Sequence, residues 1–266
     1  MIEINSYGNV TSLKGFVKYK DISLPIHLFF ADHMLIDTGP FSLLPDLIPF
    51  FQRESFDFVA LTHVHEDHTG NANWIQENKE VPIYIHPMSV DECLHVKEYH
   101  PFRQGFWGIR EGFTAQPLKE SLHSRKDKWR VVHTPGHSND HMVFLNTSTG
   151  ILFSGDLLVG VKPKGILPDE SIAKTIESLN TVLSLDFQEM FCAHSGYFPN
   201  GKILLKEKKE WLGNLQADIL HLYKQGLSVP EINQKLFPST QPLISVSENE
   251  WDSIHIINNV LKSSFE

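Results

Sequence analysis

The chain has 266 residues, of which 41% are hydrophobic and 21% charged, enough to bury a large core without disulfide staples. A formal charge of −9 weighs against a protein whose main task is gripping phosphate backbones, so nucleic acid is not an expected partner. No apolar run reaches the roughly 18–20 residues of a membrane span, and the N-terminus carries no basic-then-apolar export signal, which makes the cytoplasm the expected compartment and Cys93 and Cys192 free buried thiols.

Taken in chain order, the runs TSLKGFVKY, LPIHLFF and HMLID predict a meander of antiparallel strands up to about residue 37. Residues 42–53 have helical spacing, 56–62 read as a buried strand, and 68–78 begin a helix directly after a histidine-rich loop. Further strands are expected at VPIYIH, WRVVHT, HMVFLN, ILFSG and QEMFCA, with a helix over 169–185 whose Ile172, Ile176, Leu179 and Leu183 share a stripe. Strands too continuously apolar for a one-sided sheet, interleaved with helices, suggest sheets packed on each other and covered by helices. After Tyr197 the pattern turns helical: Leu212, Leu215, Ile219 and Leu222 mark a long helix, Ser228 and Glu231 a capping box, and 251–263 a terminal helix. The expected organisation is therefore a catalytic domain over 1–200 and a helical C-terminal appendage over 201–266.

The segment THVHEDHTG places His63, His65, Asp67 and His68 within six residues. Two histidines two apart on extended chain point the same way and can chelate one ion, while an Asp-His pair at the start of the following helix can reach a second. One histidine on an apolar strand is usually a satisfied core residue; four ligand types together are not. VVHTPGHSNDH then offers His137 on a Pro-Gly turn, with His133, Asp140 and His141 close enough that spacing alone does not choose among them. The strand ends ILFSGD and MFCAHSG offer Asp156 and His194, each weak alone because strand-end Asp and His are common turn formers.

The ordered set His-X-His-X-Asp-His, Pro-Gly-His, Gly-Asp and a final His resembles the metallo-β-lactamase superfamily, in its glyoxalase II-like branch with a helical C-terminal appendage. The resemblance spans roughly residues 10–200. It implies an α+β fold, a four-layer αββα sandwich, and two divalent metal ions: one held by His63, His65 and His137, a second by Asp67, His68 and His194, with Asp156 bridging. It also implies that Asp37, in LIDTG, supports the metal loop from behind. Zinc is the expected metal, iron and manganese being alternatives for a mixed His/carboxylate site. Two close cations acidify a bridging water, so the expected chemistry is hydrolysis with no Ser or Cys nucleophile, and Asp67 is the expected catalytic residue, orienting that water or moving a proton.

The superfamily holds thioesterases, lactonases, β-lactamases, phosphodiesterases, nucleases and oxidoreductases, so the resemblance leaves the substrate open. An intact ligand set, the acidic total and the absence of nucleic-acid modules favour a small-molecule ester, thioester or lactone; a phosphodiesterase or ribonuclease of the same fold and a non-catalytic metal-binding protein are the alternatives. Phe102, Phe106, Trp107 and Phe113, in the aromatic stretch 99–113, suit a wall beside the metals, or else core packing or a homodimer contact. Tyr197 is a candidate for touching substrate, and the lysines at 202–209 read as a solvated helix face or a patch for an anionic substrate.

Overall fold

A computed structural model describes residues 1–239 and 241–265. Its first sheet runs, in spatial order, β1 (Glu3–Tyr7), β2 (Val10–Tyr19), β3 (Ile22–Ala31), β4 (Met34–Ile36), β5 (Phe58–Ala60), β6 (Ile83–Ile85) and β7 (Gln116–Pro117). The second contains β8 (Ser121–His123), β9 (Lys128–His133), β10 (Met142–Asn146), β11 (Leu152–Phe153), β12 (Met190–Cys192) and β13 (Gly196–Phe198). Helices α1 (Leu44–Arg53), α2 (Glu66–Thr69), α3 (Ala72–Lys79), α4 (Val90–Cys93) and α5 (Pro101–Trp107) fall between strands of the first sheet. The helices α6 (Ile172–Leu183), α7 (Gly201–Lys224), α8 (Val229–Leu236), α9 (Pro242–Val246) and α10 (Ser253–Phe265) belong to the second half.

The expected αββα layering follows from the period-two alternation of the strands. In β4 and β5 Met34, Ile36, Phe58 and Ala60 face the second sheet, while Leu35 and Val59 face the helical layer of α1, α3 and α5. In β10, β11 and β12 Phe144, Phe153 and Phe191 point between the sheets, and Val143, Leu152, Met190 and Cys192 point at α6 and α7. Both faces of the central strands are buried, which is why their sequences read as unbroken apolar runs. Cys93 and Cys192 are free and buried, as expected.

One local expectation shifts. The helix expected over 68–78 is broken into α2 and α3 at Gly70 and Asn71, because the Asn71 side chain is committed to the carbonyls of Thr38, Gly39 and Pro40 at 2.7, 3.1 and 3.0 Å. The chain after residue 200 shares the second core: Leu205, Leu212, Leu215 and Ile219 of α7 pack with Leu179 and Val182 of α6 and with Met190. Leu243 and Val246 of α9 cross to the opposite side and pack against the first cluster. No described helix is long and apolar enough to cross a membrane.

The sheets meet through aromatic rings: Phe153 lies 5.6 Å from Phe29, 5.2 Å from Trp129 and 5.5 Å from Phe191 between ring centroids. Replacing Phe153, which is fully buried, by Ala opens a cavity between the sheets and is expected to cost about 3–5 kcal/mol, read as a lowered urea midpoint. Phe16→Ala, at a half-exposed ring, should move that midpoint by about 0.5 kcal/mol or less.

Candidate metal centre

The seven residues picked out by spacing come from four stretches of chain and meet at one edge of the sandwich. His63, His65, Asp67 and His68 follow β5, which is parallel to β4. Asp156 and His194 follow β11 and β12, also a parallel pair, and His137 sits in the turn between β9 and β10. Parallel strands present their carboxyl ends together, so loops from both sheets converge there. The sheets are tied at this edge by two backbone bonds, Met142 N–H to the Thr62 carbonyl at 2.8 Å and His27 N–H to the Ala193 carbonyl at 2.7 Å.

Two groups of donor atoms result, His63–His65–His137 and Asp67–His68–Asp156–His194, each with its atoms within 4.8 Å of one another. In the first, His63 Nε2 and His137 Nε2 lie 3.0 and 3.1 Å from His65 Nδ1. In the second, His194 Nε2 is 3.0 Å from Asp156 Oδ2 and 3.2 Å from Asp67 Oδ2, and His68 Nε2 is 3.4 Å from Asp156 Oδ2. Asp156 Oδ2 also lies 3.4 Å from His137 Nε2, so one carboxylate oxygen touches both groups. Donors about 2.0–2.1 Å from a tetrahedral ion stand roughly 3.4 Å apart, close to these separations.

The far nitrogen of four of the five imidazoles is engaged in a way that sets the tautomer of the neutral ring. The Nδ1–H of His68 donates to Asp37 Oδ2 at 2.8 Å, that of His137 to Glu170 Oε2 at 3.2 Å, and that of His194 to the Pro25 carbonyl at 3.1 Å. The Thr62 hydroxyl donates to Asp37, which leaves its oxygen to accept the Nδ1–H of His63 at 3.1 Å. In its neutral form each of these four rings therefore aims a lone pair inward. His68 Nε2 and Asp156 Oδ1 are buried without a hydrogen-bond partner, and a buried donor set of imidazoles and carboxylates with orphaned atoms suits divalent cations.

Electrostatics point the same way. Burial, then the neighbouring imidazoles, hold His63 and His65 well below the usual histidine range, so both are neutral and ligand-ready. Burial also opposes the charge on His68 and His194, but the carboxylates of Asp156 and Asp67, with Asp37 behind His68, override it and raise both well above that range. Protons thus stand where cations would neutralise the same carboxylates, and metal uptake should release them.

His141, left open by spacing, lies behind the centre: its Nδ1 pairs with the Thr134 hydroxyl at 2.8 Å and its Nε2 accepts the Asp156 N–H at 2.9 Å. Burial and His137 push its pKa down to about 3, in keeping with a neutral acceptor. Asp140 accepts from Ser89 and Ser138, and His133 is exposed beside His86, so neither joins the donor groups. Gly136 has φ +145°, and a Cβ there would meet the Thr175 hydroxyl at 2.4 Å, so glycine lets the turn rest on α6 and swing His137 toward Glu170.

A cavity of about 470 Å³ opens onto both groups, lined by His65, Asp67, His137, Asp156 and His194 at its floor. Its walls are mainly apolar: Phe102 and Trp107 from α5, Leu157, Ile166, and Leu212, Leu243 and Trp251 from the C-terminal helices and loop. The aromatic stretch is thus divided, Phe102 and Trp107 facing the cavity while Phe106 and Phe113 are buried in the first core. Tyr197 does not line the cavity; it stacks on Tyr7 at 4.2 Å and donates to Glu189. Sequence reasoning passes over Glu170, which orients His137, and Arg103, whose guanidinium forks onto buried Glu66 at 2.6 and 2.7 Å and fastens α5 to the metal loop.

Comparison with known proteins identifies the family and the fold. A family model described as the metallo-beta-lactamase superfamily matches residues 31–194. A beta-lactamase-like protein 2 homolog from Drosophila melanogaster is 31% identical over 186 residues, 64% of this chain and 58% of the relative. Its namesake from Caenorhabditis elegans is 25% identical over 174 residues, 62% of this chain and 52% of the relative, so the chain spans about half the length of these proteins. The crystal structure of a metallo-beta-lactamase family protein from Thermus thermophilus shares the fold, with a TM-score of 0.71 and 18% identity over 97% of this chain and 95% of that one.

Asp37→Asn tests the support behind the donors: asparagine tolerates the left-handed backbone at this position (φ 60°) but removes the charge that holds His68. Metal affinity, measured by competition with a chromophoric chelator, is expected to fall about 10- to 100-fold while the circular dichroism spectrum is unchanged.

Proposed function

The chain belongs to the metallo-beta-lactamase superfamily, and from that premise we propose that it is a metal-dependent hydrolase acting on a small ester, thioester or lactone. The observation that carries the substrate class is the cavity: about 470 Å³, within the range of small-molecule sites, with apolar walls and both donor groups at its floor. A path for a phosphate backbone calls for unpaired basic side chains. Among the residues lining this cavity Arg103 is held by Glu66, Lys208 is a single lysine and makes no such path, and Asp67, Asp156 and Glu170 are carboxylates.

In this reading His63, His65 and His137 would hold one divalent cation and Asp67, His68 and His194 a second, with Asp156, whose Oδ2 lies beside both groups, available to each. Zinc fits the imidazole-rich donors best, and iron or manganese suit the carboxylates. When bound, the two cations supply Lewis acidity and acidify water at neutral pH. Asp67, on the cavity floor with Oδ2 facing His194, orients the attacking water and accepts or returns its proton. Glu170 keeps His137 in the tautomer whose Nε2 faces the floor, and His141 fixes the backbone of Asp156. Phe102 and Trp107 hold an apolar part of the substrate and exclude bulk water.

The test is metal content of the purified protein together with turnover on thioesters, lactones, β-lactams and bis(p-nitrophenyl) phosphate. About two ions per chain, and ester, thioester or lactone hydrolysis abolished by chelator and by His65→Ala, are expected. Faster cleavage of the phosphodiester would replace the substrate class, and a fully loaded protein inert on the whole panel would leave a metal-binding protein without hydrolase activity.

A further inference from the structure

The lysines at 202–209 do not form one solvated face. Lys206 is exposed, but Lys208 retains only 7% of its surface and lines the cavity. It occupies the buried stripe of α7, three residues after Leu205 and four before Leu212, both fully buried. Its ammonium donates to the carbonyls of Leu157 and Leu158 at 2.8 and 2.6 Å, in the turn that follows Asp156.

Two features make Lys208 more than a strut. An ammonium has three N–H donors, and among the described residues these two carbonyls are its hydrogen-bond partners, which leaves one donor on a side chain that faces the cavity. Among the described residues it also forms no ion pair: Glu170 gives its carboxylate to His137 and to the N–H of Leu167, and Glu66 gives its own to Arg103. A buried charge without a counter-charge is costly, and two carbonyls can be held by neutral donors at far lower cost. Burial draws the pKa of this amine down to about 8, which still leaves it mainly protonated at neutral pH.

We propose that Lys208 is a carboxylate-binding subsite, and that the substrate is an apolar ester or thioester carrying a carboxylate remote from the scissile bond. The counter-charge missing from the protein then arrives with the ligand, while its apolar body lies against Phe102, Trp107 and Trp251. The proposal rests on the hydrolase reading for the ester and on the cavity alone for the anion. An amine on α7 is well placed for this task because it belongs to neither donor group, and its two carbonyl bonds steady the turn after Asp156 while its third N–H stays free for a ligand.

The experiment compares mono-4-nitrophenyl esters of glutaric, suberic and sebacic acids with the same esters bearing a terminal carboxamide, on the metal-loaded protein. For at least one chain length the acid should be preferred about 10- to 100-fold in kcat/KM, mostly through KM, as a charge-assisted hydrogen bond provides. Lys208→Arg should keep much of that preference and Lys208→Met should reduce it to about threefold or less. Equal turnover of acid and carboxamide by the unaltered protein at every length, or a preference that survives in Lys208→Met, overturns the subsite. Quenching of Trp107 and Trp251 fluorescence by the mono-benzylamide of suberic acid and by its terminal carboxamide reads binding without turnover. Absence of any hydrolysis therefore counts against the ester reading alone, whereas equal binding of the two amides counts against Lys208.

Discussion

The centre depends on one buried carboxylate that belongs to neither donor group. Asp37 accepts the Thr62 N–H at 2.8 Å, the Thr62 hydroxyl and the Nδ1–H of His68. Thr62 in turn receives His63 and gives its carbonyl to Met142 of the second sheet. A single side chain at the end of β4 thus sets the direction of a strand, two imidazoles and the seam between the sheets. Such a network is worth more than its separate bonds because each member loses its partner if any one moves. The next loop is held in the same manner: Thr38 and Asn71 knit residues 38–40 to the carbonyl of His68 and the start of α3.

The second constraint is charge. Five imidazoles and two carboxylates crowd into a space where burial alone would neutralise most of them. Without cations the balance is kept by protons on His68 and His194 facing Asp156 and Asp67. Folding into this arrangement is reasonable for a chain that meets metal, since what is awkward for protons is favourable for ions that need several lone pairs at once. The same logic separates His141 from its neighbours: its inward nitrogen is already occupied by a backbone N–H, so it has nothing to offer a ligand.

What the sequence discloses and what it hides divide along lines of distance. His63, His65, Asp67 and His68 are legible because local spacing determines their relative directions on a strand, a turn and the first turn of a helix. The αββα layers are legible because unbroken apolar strands need cover on both sides. Glu170 is silent because the ring it orients lies 33 positions earlier in the chain. The choice among His133, His137, Asp140 and His141 needs to know which side of a turn faces the other sheet, and period counting over so short a segment does not say. Lys208 is within reach of the sequence: a lysine at a core position of a helical stripe is an exception to the pattern and marks a buried charge. The division into a domain and an appendage at residue 200 follows a change in composition, whereas the packing of α7 on α6 and β12 gives the two parts a common core.

The roof of the cavity is made by Leu212, Leu243 and Trp251, all of which come after the last donor, His194, in the chain. Part of molecular recognition is therefore written in a stretch of polypeptide that follows the reactive residues and folds against them. Substitutions after residue 200 can reshape what fits without disturbing the atoms that react, so a lineage carrying this architecture has a direct route to new substrates: drift in its last quarter, with the floor of the cavity left alone.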